Sequence, residues 1–309
     1  MADPIASLGF FSGLNNVDDP MRLPPIPVKI GMGGYKAAYP LVMAVNVDID
    51  NTYGLSSRDG SDKKVSGTDI HSGWGNDFAS LFVDGTFLYL LNKDFSITEL
   101  LSGLTKGLRM SYAPVNDRVY MSNGTYIGYY KDLSVHSLAN PAMTYKQPLP
   151  AGKFIAYYEG HILVAVGKVL YIADALCDHY DVRTGFLVFE NDITMVRPVD
   201  KGIYVSDGQT YFITVKREFA DDPDDFRREH VLDADAIPYS DTIINGKDVG
   251  EGLDGNIAIW TSSAGICLGD NKGIAKVVTL GRYSMPSRGI GAAVIRNKEG
   301  QVHYLASLE

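Results

Sequence analysis

The stretch from Leu81 to Tyr89 reads LFVDGTFLY, and the rest of the chain repeats its pattern. Two short runs of aliphatic, β-branched and aromatic residues flank Asp84-Gly85, and such a dipeptide is among the strongest sequence signals for a tight β-hairpin. The same pattern returns as YMSNGTYI from Tyr120 and as YVSDGQTYF from Tyr204. We expect each copy to form a hairpin with a type I′ turn, in which both central residues have positive φ.

The copies recur at a nearly constant spacing. A looser copy surrounds Gly167, and the turn glycines Gly85, Gly124, Gly167 and Gly208 follow one another at intervals of 39, 43 and 41 residues. A period of about 40–45 residues with about four short strands per unit is typical of a β-propeller blade. A β-sandwich or a β-solenoid with coincidental spacing is the alternative. The sequence therefore predicts an all-β chain that forms a single β-propeller of about six blades, with five to seven as the range.

Composition bounds the class of protein. The chain has 309 residues, of which 45% are hydrophobic, with 32 glycines and 19 tyrosines, as a turn-rich β protein requires. Its formal net charge of −9 argues against general affinity for nucleic acid, because phosphates attract a basic surface. The two cysteines, Cys177 and Cys267, fit neither a zinc pattern nor a disulfide framework. Neither a signal peptide nor a membrane-spanning apolar run is evident in the sequence, so we expect no membrane anchor.

Residues 1–40 differ from the rest and are predicted to form an extended, Pro-rich N-terminal arm. Four prolines fall within residues 20–27, where they favour extended backbone. Its apolar anchors are expected to contact a neighbouring subunit: Phe10, Phe11, Leu14 and Ile26. Asp18, Asp19 and Arg22 would form a polar rim around them. A disordered tail, or an arm that packs back on its own propeller, is the alternative.

Residues 41–309 are predicted to form the propeller. Two strands at 41–60 precede the first full unit, and two strands at 291–306 end the chain. Because open sheet edges invite aggregation, we expect these N- and C-terminal strands to combine into one composite blade that closes the ring. Residues 217–255 contain an acidic and then basic run, which indicates an inserted, solvated surface loop.

Motifs that carry chemistry are weak in this sequence. The glycines of Gly31–Lys36 lack the spacing of a phosphate-binding loop, and the acidic run at Asp48 lacks the glycine and glutamate of a calcium loop. Cys177–Asp181 is the nearest approach to a site, since Asp and His on a turn could bind a metal, but ordinary polar turn residues are the favoured explanation. The sequence therefore predicts no catalytic, cofactor or metal site, and no enzyme.

The N-terminal third carries a resemblance. Residues 11–20 read FSGLNNVDDP, and after a Pro-rich link residues 44–60 read AVNVDIDNTYGLSSRDG. This layout resembles the opening of propeller-bearing virion tail proteins, of the tail hub or nozzle type, from tailed bacteriophages. The resemblance covers residues 11–60 by motif and the remainder only by the rhythm of the blades.

The resemblance implies a structural, non-catalytic virion protein of the tail, made in the host cytoplasm and assembled as a homo-oligomeric ring. Its partners would be copies of itself and tail tube, adaptor or fibre proteins. A carbohydrate-binding or glycan-cleaving propeller is the alternative, because its abundant Tyr and its Trp residues could stack on sugars. A cellular propeller that serves as an interaction hub is a third reading.

Overall fold

A computed structural model of the chain describes residues 62–216, 225–249, 252–279, 289–298 and 301–309, with shorter stretches at 10–14, 18, 25–30, 34–41, 47–49 and 55–57. The regular structure in these residues consists of 29 β-strands and one 3-10 turn at Gly246–Asp248. The chain is therefore all-β, as predicted. No helix in the described ranges has the length and apolarity to span a membrane.

The N-terminal strands form two small sheets. The N-terminal sheet contains β1 (Phe10–Leu14), β2 (Ile26–Ile30) and β3 (Gly34–Leu41), in the order β1-β3-β2, with β1 parallel and β2 antiparallel to β3. A separate hairpin pairs β4 (Val47–Ile49) with β5 (Leu55–Ser57). The expected arm is therefore a paired sheet in its described part, and β3 crosses the expected boundary at residue 40.

Five four-stranded antiparallel sheets follow along the chain. The first sheet contains β6 (Ile70–Gly75), β7 (Ser80–Asp84), β8 (Phe87–Leu91) and β9 (Ile97–Leu101). The second contains β10 (Ser111–Val115), β11 (Arg118–Ser122), β12 (Ile127–Lys131) and β13 (Ser134–His136). Near the third lies a small two-stranded sheet of β14 (Lys146–Pro148) and β18 (His179–Asp181). The third contains β15 (Phe154–Tyr158), β16 (His161–Val166), β17 (Val169–Ile172) and β19 (Phe186–Val188).

The remaining strands complete the series. The fourth sheet contains β20 (Met195–Val199), β21 (Gly202–Ser206), β22 (Thr210–Lys216) and β23 (Asp225–Leu232). The fifth contains β24 (Thr242–Asn245), β25 (Asn256–Ser262), β26 (Gly265–Gly269) and β27 (Ala275–Val277). The C-terminal hairpin pairs β28 (Gly291–Lys298) with β29 (Gln301–Leu308). A succession of four-stranded meanders is the organisation of propeller blades.

Apolar clusters join each sheet to the next one, as in stacked blades. One cluster packs Leu81 and Leu88 of the first sheet against Met121 of the second. The corresponding clusters lie between the second and third, third and fourth, and fourth and fifth sheets. A last cluster packs Ile257 of the fifth sheet against Tyr304 of the C-terminal hairpin. Because the sheets carry apolar residues on both of their faces, they pack face to face in a row.

The predicted hairpins are confirmed, but their predicted turn type is wrong. Asp84 pairs with Phe87 in register, so the turn consists of Gly85 and Thr86, and of these only Gly85 has positive φ, at 63°. Among the described hairpins, positive φ at both central residues occurs at Glu159 and Gly160 and at Asp132 and Leu133.

Side-chain hydrogen bonds explain why Asp and Asn precede these turn glycines. Asp84 Oδ1 accepts hydrogen bonds from the backbone N–H groups of Thr68, at 3.2 Å, and Asp69, at 2.7 Å. Asp207 Oδ2 likewise accepts from Glu190 N at 3.0 Å and Asn191 N at 3.1 Å. The acidic side chains therefore hold the loop that enters the sheet, where backbone donors need a partner.

Buried serines just before two of the turns bridge adjacent sheets. Ser122 Oγ lies 2.7 Å from Gly152 O and 2.8 Å from Gly152 N, and its side chain is fully buried. Ser206 Oγ accepts a hydrogen bond from Ala236 N at 3.0 Å. The repeated Ser-Asn-Gly and Ser-Asp-Gly letters thus serve the packing of one sheet on the next as well as the turn.

The prediction of an inserted loop at 217–255 is wrong for the residues of this range that the structure describes. Asp225–Leu232 forms the fourth strand of the fourth sheet, and Thr242–Asn245 forms the first strand of the fifth. Two side chains of this strand contact apolar neighbours: Phe226 packs against the apolar cluster, and the Arg228 guanidinium lies 5.0 Å from the Tyr211 ring centroid. This strand is an amphipathic edge strand, whose charges face solvent.

The composite blade is not seen among the described strands. The β4–β5 hairpin and the C-terminal hairpin each form a two-stranded sheet of their own.

Candidate functional site: a central cavity

The first strands of the sheets converge on one cavity. Residues of β6, β10, β15, β20, β24 and β28 line a central cavity of about 480 Å³. A neighbouring cavity of about 420 Å³ shares four lining residues with it, namely Tyr112, Pro114, Arg197 and Ile243. Pockets of this size hold small molecules in other proteins.

An ion pair lies in the wall of the central cavity. Arg197 Nε lies 2.6 Å from Asp241 Oδ2, and Arg197 Nη2 lies 2.5 Å from the same oxygen. The Asp241 side chain is 4% exposed and that of Arg197 is 33% exposed. The buried carboxylate therefore depends on this guanidinium for its charge compensation.

A second arginine, Arg109, lines the same cavity. Arg109 Nη2 lies 3.1 Å from Glu309 Oε1, and the Glu309 side chain is 71% exposed while that of Arg109 is 20% exposed. Burial, followed by the nearby Arg109 charge, lowers the pKa of His71, which favours its neutral form. Arg109 thus supplies positive potential to this part of the cavity.

Aromatic rings form another part of the wall. Trp74 stacks on Tyr112 with ring centroids 5.8 Å apart and an interplanar angle of 26°. The Tyr112 hydroxyl is buried and has no hydrogen-bond partner in the part of the chain that the structure describes, and burial raises its pKa well above the usual value. Tyr239 donates from its hydroxyl towards Lys153 O at 3.3 Å. The cavity therefore combines cations with flat aromatic faces, a combination suited to binding.

The polar cluster Cys177–Asp181 is occupied by internal contacts. Asp178 Oδ1 accepts a hydrogen bond from the Tyr120 hydroxyl at 2.6 Å, and His179 Nε2 lies 3.3 Å from Asp174 Oδ2. Asp181 accepts two hydrogen bonds from the Arg183 side chain, at 2.9 and 2.7 Å, and one from the Arg183 backbone N–H, at 2.9 Å. These bonds hold the pKa of the Asp181 carboxyl well below the usual range. No group of three metal-ligating side chains occurs in the described ranges.

The predicted arm contacts lie in the N-terminal sheet. Phe10, Phe11 and Leu14 belong to β1, which pairs with β3, and the half-buried Ile26 pairs with Ala38. Asp18 is exposed, whereas Asp19, Arg22 and the glycines at 31–33 lie outside the described residues. The structure brings the four apolar positions into one sheet, and their contact with another subunit stays a prediction.

The cavity residues were not predicted from the sequence. Trp74, Arg109, Tyr112, Arg197 and Asp241 are far apart in the chain and belong to no motif. Each of them lies in the first strand of a four-stranded sheet or just before it. Asp241, for example, immediately precedes β24. Aligning the units on their hairpin turns would have shown that these positions occupy the same part of each unit.

Comparison with known proteins gives likeness of fold only. No protein-family model matches the chain, and no curated protein matches it. Among solved structures, it is similar to BBS1N in complex with ARL6DN, soaked with lead, at 12% identity over 96% of this chain and 97% of that chain, with a TM-score of 0.49. It is also similar to the Neurospora crassa Pan2 WD40 domain, at 13% identity over 66% of this chain and 62% of that chain, with a TM-score of 0.43. The WD40 β-propeller domain of Doa1 is 11% identical over 78% of this chain and 93% of that chain, with a TM-score of 0.34.

Proposed function

We propose that this chain is a structural subunit of a tailed-bacteriophage tail that assembles as a ring through protein–protein contacts. The resemblance of residues 11–60 to phage tail proteins supports the class of protein. The N-terminal sheet supports the mode of assembly, because it lies outside the blade series and none of the described blade strands packs extensively against it.

The observation that carries the proposal is the exposed tyrosine face of β3. Tyr35 is 73% exposed and Tyr39 is 52% exposed, and both point to the same side of the strand because side chains alternate along it. Ala38, on the other side, is fully buried. Tyrosine is enriched at protein interfaces because its large ring has an apolar body and a polar tip. This face is the assembly surface of the arm.

The finer architecture that we propose is a ring of six blades. The first sheet carries Phe82, Phe87 and Tyr89 on the face away from the second sheet, and Phe82 stacks on Tyr89 at 5.5 Å. At the other end of the row, the C-terminal hairpin packs on the fifth sheet and supplies only two strands. The β4–β5 hairpin supplies the two strands that this sixth blade lacks.

Hydrogen exchange tests the sixth blade. If another strand pairs with β29, the alternate amides of Gln301–Leu308 that point away from β28 should exchange slowly, since strand pairing protects them. The β28 amides that face β29 are the internal reference for a paired strand. Fast exchange of the outward amides, at the rate of unprotected peptide, would contradict a composite blade.

The double substitution Tyr35→Ser and Tyr39→Ser tests the assembly surface. We expect the free energy of unfolding of the variant to stay within about 0.5 kcal/mol of the wild-type value, because exposed side chains contribute little to stability. Incorporation into particles should fall at least about tenfold, since truncating an aromatic hot spot costs about 2 kcal/mol or more. Particle content is measured by quantitative mass spectrometry after complementation of a phage that lacks the gene.

The matched control is Leu133→Ser, at a residue that is 71% exposed in a turn of the second sheet. It should leave both stability and incorporation unchanged. Normal incorporation of the double tyrosine variant would contradict the assembly surface.

A further inference from the structure

Arg109, in the wall of the central cavity, has an ion-pair partner that an external carboxylate could replace. Arg109 pairs with the side chain of Glu309, whose exposure of 71% means that water competes for this contact. By contrast, Arg197 is held by the buried carboxylate of Asp241. The two guanidiniums therefore differ: Arg197 is committed to the fold, and Arg109 can exchange one carboxylate for another.

The position of Glu309 also shows that a carboxylate fits against Arg109. Its Oε1 lies 3.1 Å from Arg109 Nη2, within hydrogen-bond distance. Planar guanidinium groups bind carboxylates with directional, charge-assisted hydrogen bonds. An external carboxylate that takes this place would meet the same guanidinium donor.

The stacked rings of Trp74 and Tyr112 add an aromatic surface against which a sugar ring could pack. The faces of aromatic rings carry negative charge density, which attracts the partly positive C–H face of a sugar ring. With a volume of about 480 Å³, the cavity accommodates a ring together with its carboxylate.

We propose that the central cavity binds an acidic sugar residue, with its carboxylate on Arg109 and its ring against the Trp74–Tyr112 pair. This site is independent of the assembly surface on β3. A uronic acid and a sialic acid share the required chemistry, which is a carboxylate on a polyhydroxylated ring. Their binding would give the subunit contact with an acidic glycan.

Titration calorimetry on the full-length protein tests the proposal with four probes. D-glucuronate and N-acetylneuraminate are the acidic sugars, glucose lacks the carboxylate, and acetate lacks the ring. We expect saturable binding of at least one acidic sugar and at least about tenfold weaker binding of glucose and acetate, because each lacks one of the two contacts. Equal binding of acetate would fit any acidic group, including a peptide side chain, and would overturn recognition of a sugar.

Two substitutions locate the binding. Arg109→Gln should weaken the acidic sugar at least about tenfold, whereas Arg118→Gln, which removes a guanidinium beside Asp178 outside the central cavity, should change it less than about twofold. Glu309→Gln should tighten binding about two- to fivefold, the amount that an exposed ion pair contributes. Because Glu309 is exposed, this variant keeps the fold intact. Unchanged affinity in both Arg109→Gln and Glu309→Gln, or no binding of either acidic sugar, would overturn the proposal.

Discussion

Replacing Arg197 by methionine is expected to lower the free energy of unfolding by about 3–5 kcal/mol at neutral pH. The substitution keeps most of the aliphatic volume and removes the guanidinium that lies 2.6 Å from Asp241 Oδ2. The Asp241 side chain, only 4% exposed, would then be a buried charge without its cation. Urea unfolding followed by circular dichroism measures the loss.

The double variant Arg197→Met with Asp241→Leu is the matched control. It removes both charges, and replacing a buried ion pair by apolar groups is often nearly neutral for stability. We expect it to recover most of the loss of the single variant. If the loss of unfolding free energy in the double variant equals the sum of the losses in the two single variants, the ion pair contributes nothing through its charge.

The parts of the fold that were predictable from sequence are those set by neighbouring residues. Strand pairs such as Ser80–Asp84 with Phe87–Leu91 were predicted because two apolar runs around a tight turn are a local signal. The turn type at Asp84 was not, because the Asp84 carboxylate accepts backbone N–H groups from residues 15 and 16 positions earlier. A dipeptide preference contains no information about such a partner.

Charge patterning misled the prediction for the same reason. The run around Asp225–Leu232 has the composition of a solvated loop, but it pairs with the neighbouring strand Thr210–Lys216, and its Phe226 packs against the apolar cluster. The central cavity was also beyond reach, since Arg109, Arg197 and Asp241 meet only when the first strands of successive sheets converge. Their proximity depends on several sheets together, and no single unit encodes it.

Replacing Trp260 by alanine is expected to cost about 3–5 kcal/mol of unfolding free energy. Trp260 is fully buried in the cluster between the fourth and fifth sheets, with its ring centroid 5.6 Å from that of Tyr204. Removing the indole leaves a cavity that the two packed sheets cannot close, since each is held by its own strand pairing. Phe95→Ala, at a residue that is 52% exposed, is the control and should cost little.

Trp260→Phe separates the packing of the ring from its polar atom. The indole Nε1 is buried and has no hydrogen-bond partner in the described ranges, so its removal relieves an unsatisfied donor while one ring remains. We therefore expect the phenylalanine variant to lose markedly less stability than the alanine variant. Equal losses would mean that Nε1 has a partner after all and that the hydrogen bond, not the ring, holds the two sheets.

Cys267 provides an independent readout of the same interface. It pairs with Trp260 in register, and burial raises the pKa of its thiol to about 11. It should therefore react with a thiol reagent only when the sheets open. In a Cys177→Ser background, labelling of Cys267 should accelerate about 100-fold or more in Trp260→Ala, because the population of the open state rises with the lost stability. Unchanged labelling in a variant that is globally destabilised would show that Cys267 reacts through a local opening that Trp260 does not control.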